Sequence, residues 1–158
     1  MCGKEVGGIN NASEDLFQGA VFAFTPVNRT TEKARNYADY LATILGAHPA
    51  WMEPRIHDRW VAATSHLPYL IASAFVLATP IEASPLVSSG FRSTSRLASS
   101  PASVMLPIME TNRENVLEAI LRFREHLNEI ESALSTGDFE RLLTYLEQGV
   151  ALKAELTG

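Results

Sequence analysis

The stretch PRIHDRWVAATSHLPYLIASAFVLA (54–78) constrains this chain more than any other. It opens with proline, which a helix tolerates in its first turn, and after Trp60 it carries apolar side chains on nearly every side. A helix that is apolar all round must be covered all round, so the fold has to be built about this segment. Pro68 lies inside it. Without an amide hydrogen it leaves carbonyls near Thr64 unpartnered, which predicts a kink there.

The residues before this helix have a different character. A loop with one helical turn at 13–18 leads to AVFAFTP (20–26), a short β-favouring run stopped by Pro26. Next comes TTEKARNYADYLATILG, where Thr30 or Thr31 can cap a helix, Ala34, Tyr37, Leu41, Ile44 and Leu45 form its apolar stripe, and Gly46 ends it. A second strand is predicted in AHPAWMEP (47–54). One βαβ unit alone makes a poor sheet, so residues 1–53 read as the end of something larger.

Beyond residue 100 the pattern is helical again. A short helix is expected near 101–110 and a long amphipathic one from Asn112 to Ser135, with Val116, Leu117, Ile120, Leu121, Leu127, Ile130 and Leu134 on one face. STGD (135–138) stops it at Gly137 and caps the next helix with Asp138, giving an antiparallel hairpin. The domain boundary falls near 53, and 158 residues suffice for one domain plus a piece of another.

Composition narrows the function. Apolar residues at 46% and charged residues at 20% suit a packed globular chain. With 13 basic against 18 acidic side chains the net charge is −5, which disfavours nucleic acid because no basic surplus can displace counterions. The single cysteine excludes an internal disulfide framework and fits a reducing, cytoplasmic setting. No signal peptide is recognised, and the apolar run 67–81, broken by prolines, is too short to span a bilayer.

Few residues carry recognisable chemistry. GKEVGG (3–8) is neither a P-loop nor a dinucleotide loop, and His48, His57, His66 and His126 lack metal-site spacing. Ser65, His66 and Asp58 lack a nucleophile elbow, and Asp58 reads as a helix-start carboxylate. His66, beside Pro68, reads either as a buried histidine satisfied by a carbonyl or, with Ser65 and Tyr69, as part of a pocket opened by the kink. GFRSTSRLASSPAS (90–103) sets Arg92 and Arg96 four residues apart among hydroxyls, with no carboxylate nearby. That pattern is either a solvated loop or a clamp for a carboxylate or phosphate.

Three stretches together carry a resemblance: MCGKEVGGINNASEDLFQGAVFAFTP, HDRWVAATSHLPYLIASAF and GFRSTSRLASSPASVMLPIMETNRENVL. In that order they resemble the second half of prephenate dehydrogenase, a family that includes arogenate and cyclohexadienyl dehydrogenases. The resemblance covers most of the chain up to about residue 135 and rests on S-H-L-P with H-D upstream, and on G-F-R-x-x-(S/T)-R-(I/L)-A-S-S.

It implies a mainly α fold, a helical dimerisation domain like that of the 6-phosphogluconate dehydrogenase C-terminal domain, preceded by a βαβ remnant of a Rossmann sheet. Residues 1–53 would close the nucleotide-binding domain, and 54–158 would bind substrate and dimerise. The family reaction is oxidative decarboxylation of prephenate with NAD or NADP, both bound by a half that would precede this chain. The family's catalytic histidine would likewise precede Met1, so no catalytic, cofactor or metal residue is expected here. Carried over by motif, Arg96 is the substrate-carboxylate arginine, Arg92 supports the loop or the neighbouring subunit, and His66 is the motif's first histidine, with Ser65 beside it.

Three positions depart from the family pattern. Tyr69 stands where a second histidine is frequent, Ser93 where an acid is, and Met105 where tryptophan is. They touch the substrate end, leaving prephenate and arogenate both open. A homodimer without nucleic-acid or membrane partners is expected, truncated and inactive alone. The rival readings are a non-catalytic carboxylate-binding regulatory module and a helical interaction protein.

Overall fold

The structure, a computed structural model, describes residues 8–158. The GKEVGG motif apart from Gly8, the lone cysteine and the family-like residues 1–3 lie outside them. The described residues form two compact units, one ending at Val116 and one comprising Leu117–Gly158.

In the first unit, strand β1 (Val21–Phe24), helix α1 (Glu32–Ile44) and strand β2 (His48–Trp51) make the expected βαβ crossover. The strands are parallel, with Val21 opposite His48 and Phe24 opposite Trp51. Thr31 is the cap, its Oγ1 accepting from the Ala34 amide at 3.2 Å, while the Thr30 hydroxyl accepts from Val27 N at 2.8 Å. Gly46 ends the crossover helix at φ +72°, in the left-handed region glycine favours.

The inward face of α1 is not the predicted stripe. Ala42 is buried and Tyr37, Leu41 and Ile44 are exposed. The helix meets β2 through polar groups instead: Trp51 Nε1 donates to Asp39 Oδ1 at 2.7 Å, and the Arg35 guanidinium lies 4.5 Å from the centre of the Trp51 ring. Indole N–H and guanidinium both need a partner when half-covered, and this geometry supplies each with one.

The central segment stays helical throughout, with a π turn where the kink was expected. Helix α2 (Pro54–Val61) passes through a π-helical turn, Ala62–His66, into α3 (Leu67–Ala78). The Leu67 amide reaches back five residues to the Ala62 carbonyl, and the Thr64 hydroxyl donates to the Trp60 carbonyl at 2.8 Å. The helix therefore takes up the donor missing at Pro68 within a wider turn and continues beyond it. Because it continues, it spans 25 residues with a mean hydropathy of 1.5 over an 18-residue window. By length and composition it could cross a bilayer, which corrects the expectation that no apolar run is long enough.

Covering of this segment is incomplete. Ala62 and Ala72 are buried, but Leu77 is 86% exposed. A 3₁₀ turn (Ile81–Leu86) leads to helix α4 (Ser89–Ser95) and a 3₁₀ turn (Arg96–Ser99). The stretch read as a solvated loop or an anion clamp is thus helical over 89–99, held to α3 by Phe91 packing on Phe75 with ring centroids 5.0 Å apart. Helix α5 (Ala102–Thr111) comes next, and Asn112 separates it from α6 (Arg113–Thr136).

In the second unit α6 turns into α7 (Phe139–Thr157) as predicted. Gly137 takes φ +69°, and Asp138 caps α7 by accepting from Arg141 N at 3.0 Å. An Arg141–Glu129 ion pair and a Tyr145–His126 hydrogen bond run between the two antiparallel helices. Leu134, Phe139, Leu143, Leu146, Val150 and Leu152 remain more than half exposed.

Candidate functional site

The predicted site residues fall into two groups within the first unit. Arg92 and Arg96, four residues apart along α4 and its 3₁₀ continuation, share a helical face. With Val87, Phe91, Ser95 and Ser99 they line an open groove of about 540 Å³. Two guanidinium groups, two hydroxyls and an aromatic floor suit a ligand with a carboxylate and an apolar body. Ser65, His66 and Tyr69 do not line this groove.

His66 sits instead at the end of the π turn, 6% exposed. Its Nδ1 lies 3.3 Å from Asn112 Nδ2, and the same amide nitrogen donates to the Asp58 carbonyl at 2.7 Å. Asn115 Nδ2 donates to Asn112 Oδ1 at 2.7 Å. His57 and Asp58 flank the cluster, with His57 Nδ1 3.0 Å from Asp58 Oδ1. Burial lowers the His66 pKa from 6.5, the neighbouring His57 lowers it further, and Asp58 partly opposes them. At neutral pH this imidazole is uncharged.

The other expectations resolve individually. Asp58 is the fifth residue of α2 and pairs with His57 rather than capping; Glu53 precedes the helix. Tyr69 is half-buried, its carbonyl accepting from the Ser73 hydroxyl at 3.0 Å. Among the described residues no group of histidine, cysteine and carboxylate side chains could hold a metal. Asn112 and Asn115 were not anticipated. Their signal was the run TNREN (111–115), two asparagines at a helix junction, where such residues break or cap helices.

The connection from β1 to α1, residues 25–31, reads TPVNRTT, with a proline and no glycine to let a pyrophosphate approach the backbone.

A two-stranded parallel βαβ segment thus precedes a mainly helical remainder that carries a groove lined by two arginines. The chain belongs to the prephenate dehydrogenase dimerization domain family, whose model matches residues 53–148. It is 28% identical over 153 residues to prephenate dehydrogenase of Bacillus subtilis, covering 93% of this chain and 41% of that protein. It is 26% identical to prephenate dehydrogenase of Lactococcus lactis, covering 97% and 43%. The chain thus spans less than half the length of these relatives.

Among solved structures, prephenate dehydrogenase from Aquifex aeolicus in complex with hydroxyphenyl propionate and NAD+ superposes with a TM-score of 0.89 at 26% identity, covering 99% of this chain and 57% of that one. Synechocystis arogenate dehydrogenase gives 0.84 at 26% identity, covering 98% and 59%. These matches bear out the mainly helical fold and the family expected from the three motifs.

Proposed function

We propose that this chain is the substrate-holding and dimer-forming part of a prephenate dehydrogenase, with residues 54–158 doing that work and residues 1–53 closing the nucleotide-binding domain. The family match over 53–148 carries the reading. NAD or NADP and the catalytic histidine belong to the half not contained here, so this part is inactive alone and positions rather than transfers protons. Arg96 holds a substrate carboxylate, and Arg92, on the same face, supports it or reaches the second subunit. His66, with Ser65 and Tyr69, belongs to the substrate end.

Two observations support the assignment. The Aquifex relative binds hydroxyphenyl propionate, an aromatic carboxylate of the type that the Arg92–Arg96 groove suits chemically. The apolar residues left exposed on α6 and α7 offer a second copy a surface to cover, consistent with the family's description as a dimerization domain. The setting is cytoplasmic, and the reading needs neither nucleic acid nor membrane.

Arogenate is the second substrate reading, favoured by the likeness to the Synechocystis enzyme. A regulatory carboxylate-binding module is the non-catalytic alternative. All three are separated by supplying a cofactor-binding half in the same polypeptide and following NAD(P)H formation with prephenate and with arogenate. Turnover is expected, and Arg96→Ala should lower kcat/KM by about 30- to 1,000-fold, the loss of a charged contact worth about 2–4 kcal/mol. No turnover, or Arg96→Ala equal to wild type, overturns the assignment.

A further inference from the structure

The cluster about His66 has a defined hydrogen-bond polarity. The Asp58 carbonyl can only accept, so the Asn112 side-chain atom 2.7 Å from it must be the NH₂ group. The Asn115 contact agrees, because Asn115 Nδ2 donates to the opposite oxygen of the same amide. With its orientation fixed at both ends, the Asn112 amide turns a donor towards His66 Nδ1. A proton on Nδ1 would set two donors against each other, so Nδ1 must accept and the ring proton must sit on Nε2.

We propose that Asn112 is a positioning residue that locks His66 in the Nε2-protonated tautomer, so that the buried ring offers one hydrogen-bond donor to an acceptor oxygen of the bound acid. The second half of this statement rests on the reading of His66 as part of the substrate end; the first half does not. Charging the ring would create the same clash at Nδ1, in agreement with its lowered pKa. The groups beside the ring are His57 and Asp58 from α2 and Asn112 at the α5–α6 junction, itself held by Asn115. The π turn contributes by holding His66 inward beside the last turn of α5.

The chain contains four histidines, so the side-chain nitrogen resonances of His66 can be resolved by ¹⁵N NMR and assigned with His66→Gln. Wild type should show protonated Nε2 and unprotonated Nδ1 above pH 7. Asn112→Asp, of equal size, places a carboxylate oxygen where the NH₂ stood; the proton should move to Nδ1 and the ring should titrate at higher pH. Asn112→Ala should give a mixture of tautomers. A purely structural asparagine would lower the melting temperature and leave the tautomer unchanged. That result, or Nδ1–H in wild type, overturns the proposal.

With the cofactor-binding half supplied, Asn112→Asp should raise KM for the substrate acid about 10- to 100-fold while changing kcat little, as for loss of one hydrogen bond to a charged group. An unchanged KM overturns the donor role. Failure of the functional reading is separate: wild-type protein would then neither turn over prephenate or arogenate nor bind hydroxyphenyl propionate, whatever the tautomer of His66.

Discussion

Truncating Leu143 on α7 tests whether a second copy of the chain covers the helical hairpin. Leu143 is 58% exposed, so more than half of its side chain gains nothing from its own fold. Full burial of a leucine is worth roughly 2 kcal/mol, and the uncovered share is therefore about 1.2 kcal/mol. In a twofold dimer every residue counts twice, which makes the loss on Leu143→Ala about 2.4 kcal/mol of association free energy. At 1.4 kcal/mol per decade this weakens the dimer about 50-fold. Sedimentation equilibrium on wild type, Leu143→Ala and the exposed polar control Gln148→Ala reads the effect directly. A wild-type chain that stays monomeric at high micromolar concentration refutes the homodimer. A dimer that holds with equal affinity in all three refutes the assignment of this face.

Two further tests concern stability. Gly137 and Gly149 both have open space where a methyl group would project, so Gly→Ala acts through the backbone alone. At Gly137, with φ +69°, it should destabilise by about 1–2 kcal/mol, whereas at Gly149, within α7, it should stabilise by about 0.5–1 kcal/mol; urea unfolding giving the same sign at both sites would contradict this. For His66, the folded pKa lies below the unfolded 6.5, so the unfolded chain binds the extra proton between the two values. Stability should therefore be full above about pH 6.5 and fall as the pH drops towards the depressed value, and His66→Gln should remove that contribution to the acid limb of a melting-temperature profile.

Features set by local chemistry could be read from the residues. Gly137 and Asp138 declare a turn because a left-handed residue and a capping carboxylate have few other uses side by side. The Thr30–Thr31 pair declares the start of α1 in the same way, and the structure selects Thr31 as the cap. The path of 89–99 could not be read so, because glycine, serine and threonine carry no helical signal of their own, and the helix depends on Phe91 finding Phe75. The face of α1 is hidden for a related reason: hydrophobicity points to Tyr37, Leu41 and Ile44, while packing against β2 is decided by Arg35 and Asp39 meeting Trp51. At the candidate site, Arg92, Arg96 and His66 were legible as residue types. The Asn112 contact was not, since it joins positions 46 residues apart through a side-chain amide that any helix junction could carry.

The π turn at Ala62–His66 also bears on how the chain can change length. Removing one residue from an ordinary α-helix rotates everything beyond it by about 100°, which would turn α3 away from its neighbours. Here the Leu67 amide already reaches back five residues to Ala62. Deleting exposed Ala63 would make that same hydrogen bond span four, an ordinary α-helical step, and α3 would keep its orientation. What the shorter helix would give up is the wider turn that ends on the buried His66 beside Asn112.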